Sequence, residues 1–218
     1  MQKPLQNDAT AFVLAGGQST RMGRDKALLP LGGRPLISHA LSTLRAAGLS
    51  ATIAGANCDL SGFAPVIDDS QPGLGPLAGV CAALAATAAR FAVFLSIDSP
   101  FLPPSLLAYL LHRARIAGGA IAVPSIAGFA QTFPAVIDRR AQPALQAELR
   151  AGRKGCFSAF QAAAASLGQP LSRVSVELLA QSRHVVHDSG LHPFCWFFNL
   201  NSPADFERAE ALWSRRIA

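Results

Sequence analysis

The sequence predicts a three-layer α/β/α fold built on a mostly parallel sheet. Two observations lead there: short apolar runs that lack polar alternation, and their regular exchange with helical patterns from the first strand onward. Strands apolar at consecutive positions are buried on both faces, and a sheet covered on both faces is the parallel kind joined by helical crossovers. In chain order the strands are expected at Phe12–Leu14, Thr52–Ala54, Pro65–Ile67, Ala92–Leu95, Ala120–Val123, Phe133–Ile137, His184–Val186 and Trp196–Phe198. Helices are expected between and after them at Leu36–Ala47, Leu77–Ala88, Pro104–Ile116, Ala141–Ala151, Phe157–Ala165 and Pro203–Arg216. Pro103-Pro104 and Asn201-Ser202-Pro203 mark two helix starts, because proline suits the first turn and Asn or Ser caps it.

A chain of 218 residues, half of them hydrophobic and 15% charged, suits one domain with a sizeable core. That domain is drawn over residues 8–218, with the first seven residues as a flexible N-terminus. Lys and Arg number 19 against 13 Asp and Glu, so the net charge is +6 and anionic partners are favoured. The charges are not gathered into a basic run interleaved with aromatics, so a non-catalytic nucleic-acid-binding protein is only a distant alternative. Neither nucleic acid nor membrane is an expected partner. The uncharged stretch Ile116–Ile137 is broken by Gly118, Gly119, Pro124, Gly128 and Pro134, which would leave backbone groups unpaired in lipid. Met1–Thr10 is polar and has no signal-peptide core. Cys58, Cys81, Cys156 and Cys195 lie far apart without a C-x-x-C pair, which argues against zinc and dithiol motifs and for a cytoplasmic location.

Directly after the first strand stands Leu14-Ala15-Gly16-Gly17-Gln18-Ser19-Thr20-Arg21-Met22-Gly23-Arg24-Asp25-Lys26. Paired glycines, hydroxyls and a late lysine let backbone N–H groups approach a phosphate chain while cations neutralise it. The run has neither the G-x-x-x-x-G-K-[ST] spacing of a P-loop, since Ala27 follows Lys26, nor a G-x-G-x-x-G fingerprint. Asp98 follows the strand Ala92–Ser96 and precedes Pro100, so its carboxylate lies at a strand's C-terminal end, where open α/β sheets bind ligands. A hard oxygen donor there suits Mg²⁺, which takes one or two carboxylates and completes its shell with phosphate and water. Asp68 and Asp69 follow another strand and precede the turn to Gly79, where a turn-forming role competes with a functional one.

The loop L-A-G-G-x-S-x-R-M-G-x-D-K resembles the signature of the molybdenum cofactor guanylyltransferases. The resemblance continues through Pro65–Ser70, Gly75–Gly79, Ile97–Pro103 and Asn199–Pro203 in the family's order, over nearly the whole chain. It implies a Rossmann-like nucleotidyltransferase domain that transfers GMP from GTP to molybdopterin with Mg²⁺ and releases pyrophosphate. It also implies site residues: Lys26, Arg21 and Asp98 in catalysis; Leu14, Ala15, Gly16, Gly17, Lys26, Asn57, Asp69, Asp98, Asn199 and Asn201 in binding; Asp98 at the metal. Of these, Asn199 and Asn201 are associated in the family with the pterin substrate, and the period-two rule puts their side chains on one face of a strand. A cap at Asn201 or Ser202 is the competing reading. Arg153-Lys154 is a candidate for the pterin's phosphate beside the plainer reading of a solvated loop. Transient docking to cofactor-biosynthesis proteins or molybdoenzyme apoproteins stays open.

The attacking group implied is a phosphate monoester with a second pKa of about 6, so it is already mostly dianionic at neutral pH and no histidine base is needed. Three departures from the family pattern stand out: Ser96-Ile97-Asp98-Ser99-Pro100 lacks the usual Cys before Asp, Gly55 replaces an Asn seen in some members with Asn57 as the substitute, and Gln131-Thr132-Phe133-Pro134 replaces a His-Pro step. They keep a pterin cytidylyltransferase or a sugar-phosphate nucleotidyltransferase in view as alternatives. The cytidylyl enzymes read L-A-A-G here, and the room at Gly16 favours a purine.

Overall fold

A computed structural model of the chain describes residues 8–16, 25–56, 58–67 and 75–214. Its elements run β1 (Ala9–Leu14), β2 (Pro30–Leu31), β3 (Arg34–Pro35), α1 (Leu36–Ala46), β4 (Ala51–Ala54), β5 (Val66–Ile67), α2 (Pro76–Ala86), β6 (Phe91–Ser96) and α3 (Pro104–Ala117). They continue through β7 (Ile121–Ile126), β8 (Phe129–Ala130), β9 (Ala135–Asp138), α4 (Gln142–Arg150), α5 (Cys156–Ser166), β10 (Ser172–Ser175), α6 (Val176–Gln181), α7 (Pro193–Trp196) and α8 (Pro203–Ser214). The main sheet has the order β10-β7-β9-β6-β1-β4-β5, with β8 paired to β7. Only β9 and β8 run antiparallel to their neighbours, so the expected mostly parallel sheet is observed.

The layers follow from side-chain alternation on the central strands. Ala11 and Val13 of β1 face α1 and α3, while Phe12 and Leu14 face α2 and join the core under α4 and α5. All four are buried, which is why the sequence run shows no polar alternation. A third, smaller cluster of Leu31, Leu36, Phe101, Leu200 and Ala209 seats α8 against the β2-β3 hairpin. The chain leaves β1 for β4 on one side and returns to β6 on the other, so the sheet reverses its winding order at β1. The crevice above the C-terminal ends of β1 and β6 is the switch point at which such sheets bind ligands.

Two strand expectations are corrected. Residues 184 and 185 form a bend, with Val185 buried between exposed His184 and Val186, and Trp196 ends the short helix α7, which Pro193 opens. Both segments wrap the helical layer: Trp196 Nε1 donates to Leu191 O at 2.8 Å, and the His187 ring binds Phe101 O at 3.1 Å. Conversely, β10 was not expected, because Ser-Arg-Val-Ser carries one buried residue and is an edge strand. The six helices expected from the sequence are all present, within two residues at every end that falls inside the described residues.

Gly32, in the hairpin turn, has φ +55°, and a Cβ there would lie 2.1 Å from Trp213 Nε1. Gly32→Ala is therefore expected to displace the indole and cost about 1–3 kcal/mol, read as a lower Tm, because the left-handed backbone and the contact both oppose a side chain.

Candidate active site at the β1–β6 switch point

β1 and β6 are in register to their ends, Leu14 opposite Ser96, and the Ile97 amide continues the ladder by donating to Leu14 O at 3.3 Å. This registration sets Gly16 beside the turn that carries Asp98. On the other side the Ala15 amide donates to Ala54 O at 3.1 Å. Leu14 and Ala15 both have buried side chains, so only their backbone groups could face a ligand at the end of β1.

Gly16 is exposed, and its missing Cβ points at protein: an added methyl would lie 2.2 Å from Gly55 O. Glycine at 16 is thus required by a backbone-to-backbone approach between the ends of β1 and β4, a structural cause that stands beside the expectation of room for a purine. Gly55 has φ +68°, a region that glycine adopts freely and asparagine tolerates, and the Gly79 Cα of α2 lies 4.0 Å from its Cβ direction.

Lys26 opens a single 3-10 turn over Lys26–Leu28, capped by Asp25, whose Oδ1 accepts from the Ala27 amide at 2.8 Å. Asp25 thereby fixes the backbone from which Lys26 projects. The Lys26 ammonium lies 3.7 Å from Asp98 Oδ2 and donates to Asn201 Oδ1 at 3.2 Å. Burial pushes its pKa below the ordinary lysine value, and the charge and hydrogen bond of Asp98 pull in the opposite direction.

Asn199 and Asn201 lie in a loop, so the strand-face expectation is corrected, yet both reach the same cluster. The loop is tied down by the Leu200 amide, which donates to Asp98 O at 3.0 Å. The Ser99 hydroxyl donates to Asn199 Oδ1 at 2.7 Å and lies 3.3 Å from Asp98 Oδ1. Both asparagine carbonyl oxygens therefore already accept a hydrogen bond from protein. Because an ammonium can only donate, the Asn201 amide must turn its oxygen to Lys26, leaving its NH₂ as a donor for an anion.

The competing cap reading holds as well: Ser202 caps α8 and forms a capping box with Asp205. Asp205 Oδ2 accepts from the Asn201 and Ser202 amides at 3.0 and 2.9 Å and from the Ser202 hydroxyl at 2.8 Å. These bonds, the Ser202 hydroxyl foremost, hold the Asp205 carboxyl below its usual pKa. Sequence reasoning missed Ser99 and Asp205, although Ser202-x-x-Asp205 is a legible capping signature.

Arg21, Gly17, Asn57 and Asp69, with Asp68 and Arg24, lie outside the described residues. Arg153 is held by Glu148 in a two-pronged ion pair at 2.6 and 2.7 Å, which offsets its charge and takes two of its five donors, and Lys154 stands beside it in the same loop. As for the metal, the site offers the Asp98 carboxylate, a hard donor at the strand end. Among the described residues no three His, Cys, Asp or Glu side chains converge, and the Asp98 carboxylate is the kind of hard oxygen donor that suits a divalent cation whose shell substrate oxygens complete.

Residues 11–173 match the MobA-like NTP transferase domain family. A molybdenum cofactor guanylyltransferase of Rhizobium meliloti is 34% identical over 92% of this chain and 90% of its own. The chain belongs to the molybdenum cofactor guanylyltransferase family. A probable molybdenum cofactor guanylyltransferase of Haloferax mediterranei is 30% identical over 97% of this chain and 96% of its own. Among solved structures, molybdopterin-guanine dinucleotide biosynthesis protein A from Archaeoglobus fulgidus superposes with a TM-score of 0.76 at 25% identity, covering 94% of this chain and 99% of that one. A 2-C-methyl-D-erythritol 4-phosphate cytidylyltransferase from Thermus thermophilus, 19% identical with a TM-score of 0.63 over 93% of this chain and 98% of its own, shares the fold. As a member of this family the chain is a nucleotidyltransferase with an α/β fold. Among the described residues no helix is long and apolar enough to cross a membrane.

Proposed function

We propose that the chain transfers GMP from GTP to the phosphate of molybdopterin, forming molybdopterin guanine dinucleotide and pyrophosphate with Mg²⁺. The observation that carries the reaction class is the convergence of Lys26, Asp98 and Asn201 at the switch point. The choice of GTP and molybdopterin rests on the full-length likeness to guanylyltransferases.

Nucleotidyl transfer is an in-line displacement at the α-phosphate, so the protein's work is alignment and charge neutralisation. Lys26 contributes a point charge to the triphosphate, with Arg21 of the preceding loop as a second cation. Asp98 would hold Mg²⁺, which when bound would neutralise phosphate oxygens and steady the leaving pyrophosphate. The backbone of Leu14, Ala15 and Gly16 lines the approach of the phosphates, and the family resemblance assigns nucleotide binding to Gly17, Asn57 and Asp69 as well. Asn199 and Asn201 donate their amide NH₂ groups to the acceptor's phosphate, their oxygens being turned toward Ser99 and Lys26. The acceptor phosphate arrives deprotonated, so no side chain in the cluster has to act as a base.

The Lys26 ammonium gives a test with a definite sign. Only the protonated form attracts phosphate, and its pKa is lowered, so GTP affinity should fall with rising pH earlier than an ordinary lysine near 10.5 would allow. Lys26→Ala should remove that pH dependence and weaken GTP by about tenfold or more. Calorimetric titration of both proteins across the alkaline range checks this; a mutant with wild-type affinity and the same pH profile would take Lys26 out of the site.

A further inference from the structure

At the other end of the sheet from Asp98, across the six residues of β6 and so roughly 17–20 Å away, the structure holds a second concentration of charge. Arg90 immediately precedes β6, and Asp138 ends the antiparallel neighbour β9, opposite Phe91. Arg139 and Arg140 follow at once, and the Arg139 amide donates to Arg90 O at 2.8 Å, drawing the two segments together. With Ala88, Gln142 and Pro143 these four residues line a cleft of about 540 Å³.

The arrangement inside the cleft is a fixed one. Asp138 is 1% exposed, and every lone pair it can offer is taken. Its Oδ1 accepts from the Arg140 amide at 2.9 Å and Arg140 Nε at 3.0 Å, and its Oδ2 accepts from Arg140 Nη2 at 2.9 Å and Arg90 Nε at 3.3 Å. Burial alone would raise the Asp138 pKa; the arginine bonds outweigh it and hold the carboxyl below its usual range. A saturated, ionised carboxylate cannot bind a cation or donate to a ligand, so its effect is to orient two guanidinium groups. Both remain about half exposed, at 54% and 55%, with donors left over beyond those that Asp138 takes. The Arg90 guanidinium is further steadied 4.8 Å above the Phe91 ring. Arg139 adds a third, exposed guanidinium that pairs with no carboxylate among the described residues, and nearby Asp8 is already engaged by Arg115.

Three guanidinium groups against one carboxylate leave the cleft at +2. Structural reasons account for part of this set, since Arg90 and Arg140 neutralise a buried aspartate, but they do not account for Arg139 or for a net dication in a concave site. Helix polarity does not account for it either: Arg139 and Arg140 stand ahead of α4, at a helix's positive end, where cations are disfavoured. Planar donors held in place beside a concave surface match the oxygen geometry of a phosphate group, and a dianion would neutralise the cleft.

We propose that the cleft between Arg90, Arg139 and Arg140 is a second anion site, separate from the switch point, that binds a small phosphate-bearing molecule. This second site does not depend on the assignment of GTP and molybdopterin. The test is an amide chemical-shift titration of the full chain with inorganic pyrophosphate, inorganic phosphate and ribose 5-phosphate in turn, with the wild type and with Arg139→Gln and Arg139→Glu. Arg139 lies on the surface and outside the catalytic cluster, so both variants should fold. Expected are saturable shifts at residues 88–90 and 139–142 with a Kd of about 1 mM or tighter, weakened about tenfold by R139Q and abolished by R139E. Shifts at 97–99 and 199–201 should keep their own constants in all three proteins. The tighter of phosphate and ribose 5-phosphate identifies whether a free anion or an ester is the ligand. The proposal is overturned if the cleft amides do not move, if they drift linearly with ionic strength, or if R139E leaves their constants unchanged.

Discussion

Replacing Asp98 by asparagine is expected to leave the fold intact and to lower turnover by on the order of 10²–10³-fold, the loss typical of removing one electrostatic stabiliser of a transition state. The side chain keeps its shape and sits in a turn held by backbone bonds, the Leu200 amide to Asp98 O and the Ile97 amide to Leu14 O, which the substitution does not touch. The negative charge disappears, and with it the group that holds Mg²⁺ on the proposed reading and balances Lys26 at 3.7 Å. Circular dichroism and Tm should match the wild type while pyrophosphate release from GTP collapses. A mutant that turned over near the wild-type rate at limiting Mg²⁺ would remove Asp98 from the metal.

The second large effect belongs to Gly16→Ala, and its expected form changes once the contact with Gly55 is known. If the missing Cβ made room for a base, alanine would narrow the pocket and lower GTP use more than CTP use. Instead the methyl would meet a backbone carbonyl oxygen at 2.2 Å, and neither partner is the movable tip of a side chain. The end of β1 must shift away from β4, and Gly16, which lines the phosphate approach on the proposed reading, shifts with it. The expected result is a fall in kcat/KM of about tenfold or more for any nucleotide, with the GTP to CTP ratio unchanged, and a stability loss of about 1–3 kcal/mol. Steady-state kinetics with both nucleotides decide between the two accounts, since a changed ratio would restore base selection to this position.

How far the sequence reaches is visible in these same residues. The buried strands β1, β4 and β6 and the helices between them were legible because a strand covered on both faces must be apolar throughout its buried length. The edge strand β10 was hidden by its Ser-Arg-Val-Ser composition. The apolar runs around Val185 and Trp196 were misleading because they pack on helices, and burial against a helix leaves the same local signature as burial in a sheet. At the site, Lys26 and Asp98 could be singled out by residue type and position, Asn199 and Asn201 by the family resemblance, and the fold brings them together. Their orientation could not be read, because it depends on contacts between segments up to 175 residues apart, such as Lys26 to Asn201. Gly16 shows the same limit: the sequence demands a small residue there, and only the neighbouring strand end reveals what the smallness serves.

The central claim, guanylyl transfer to the phosphate of molybdopterin, is tested most directly by the mass of the product. The purified chain is incubated with Mg²⁺, molybdopterin and an equimolar mixture of GTP, CTP, ATP and UTP, and the pterin fraction is analysed by mass spectrometry. The account predicts one new species, heavier than molybdopterin by a GMP unit, formed with one pyrophosphate per molecule and lost in Asp98→Asn. A cytidylyl adduct, or pyrophosphate release that appears only when a sugar phosphate replaces the pterin, would contradict it.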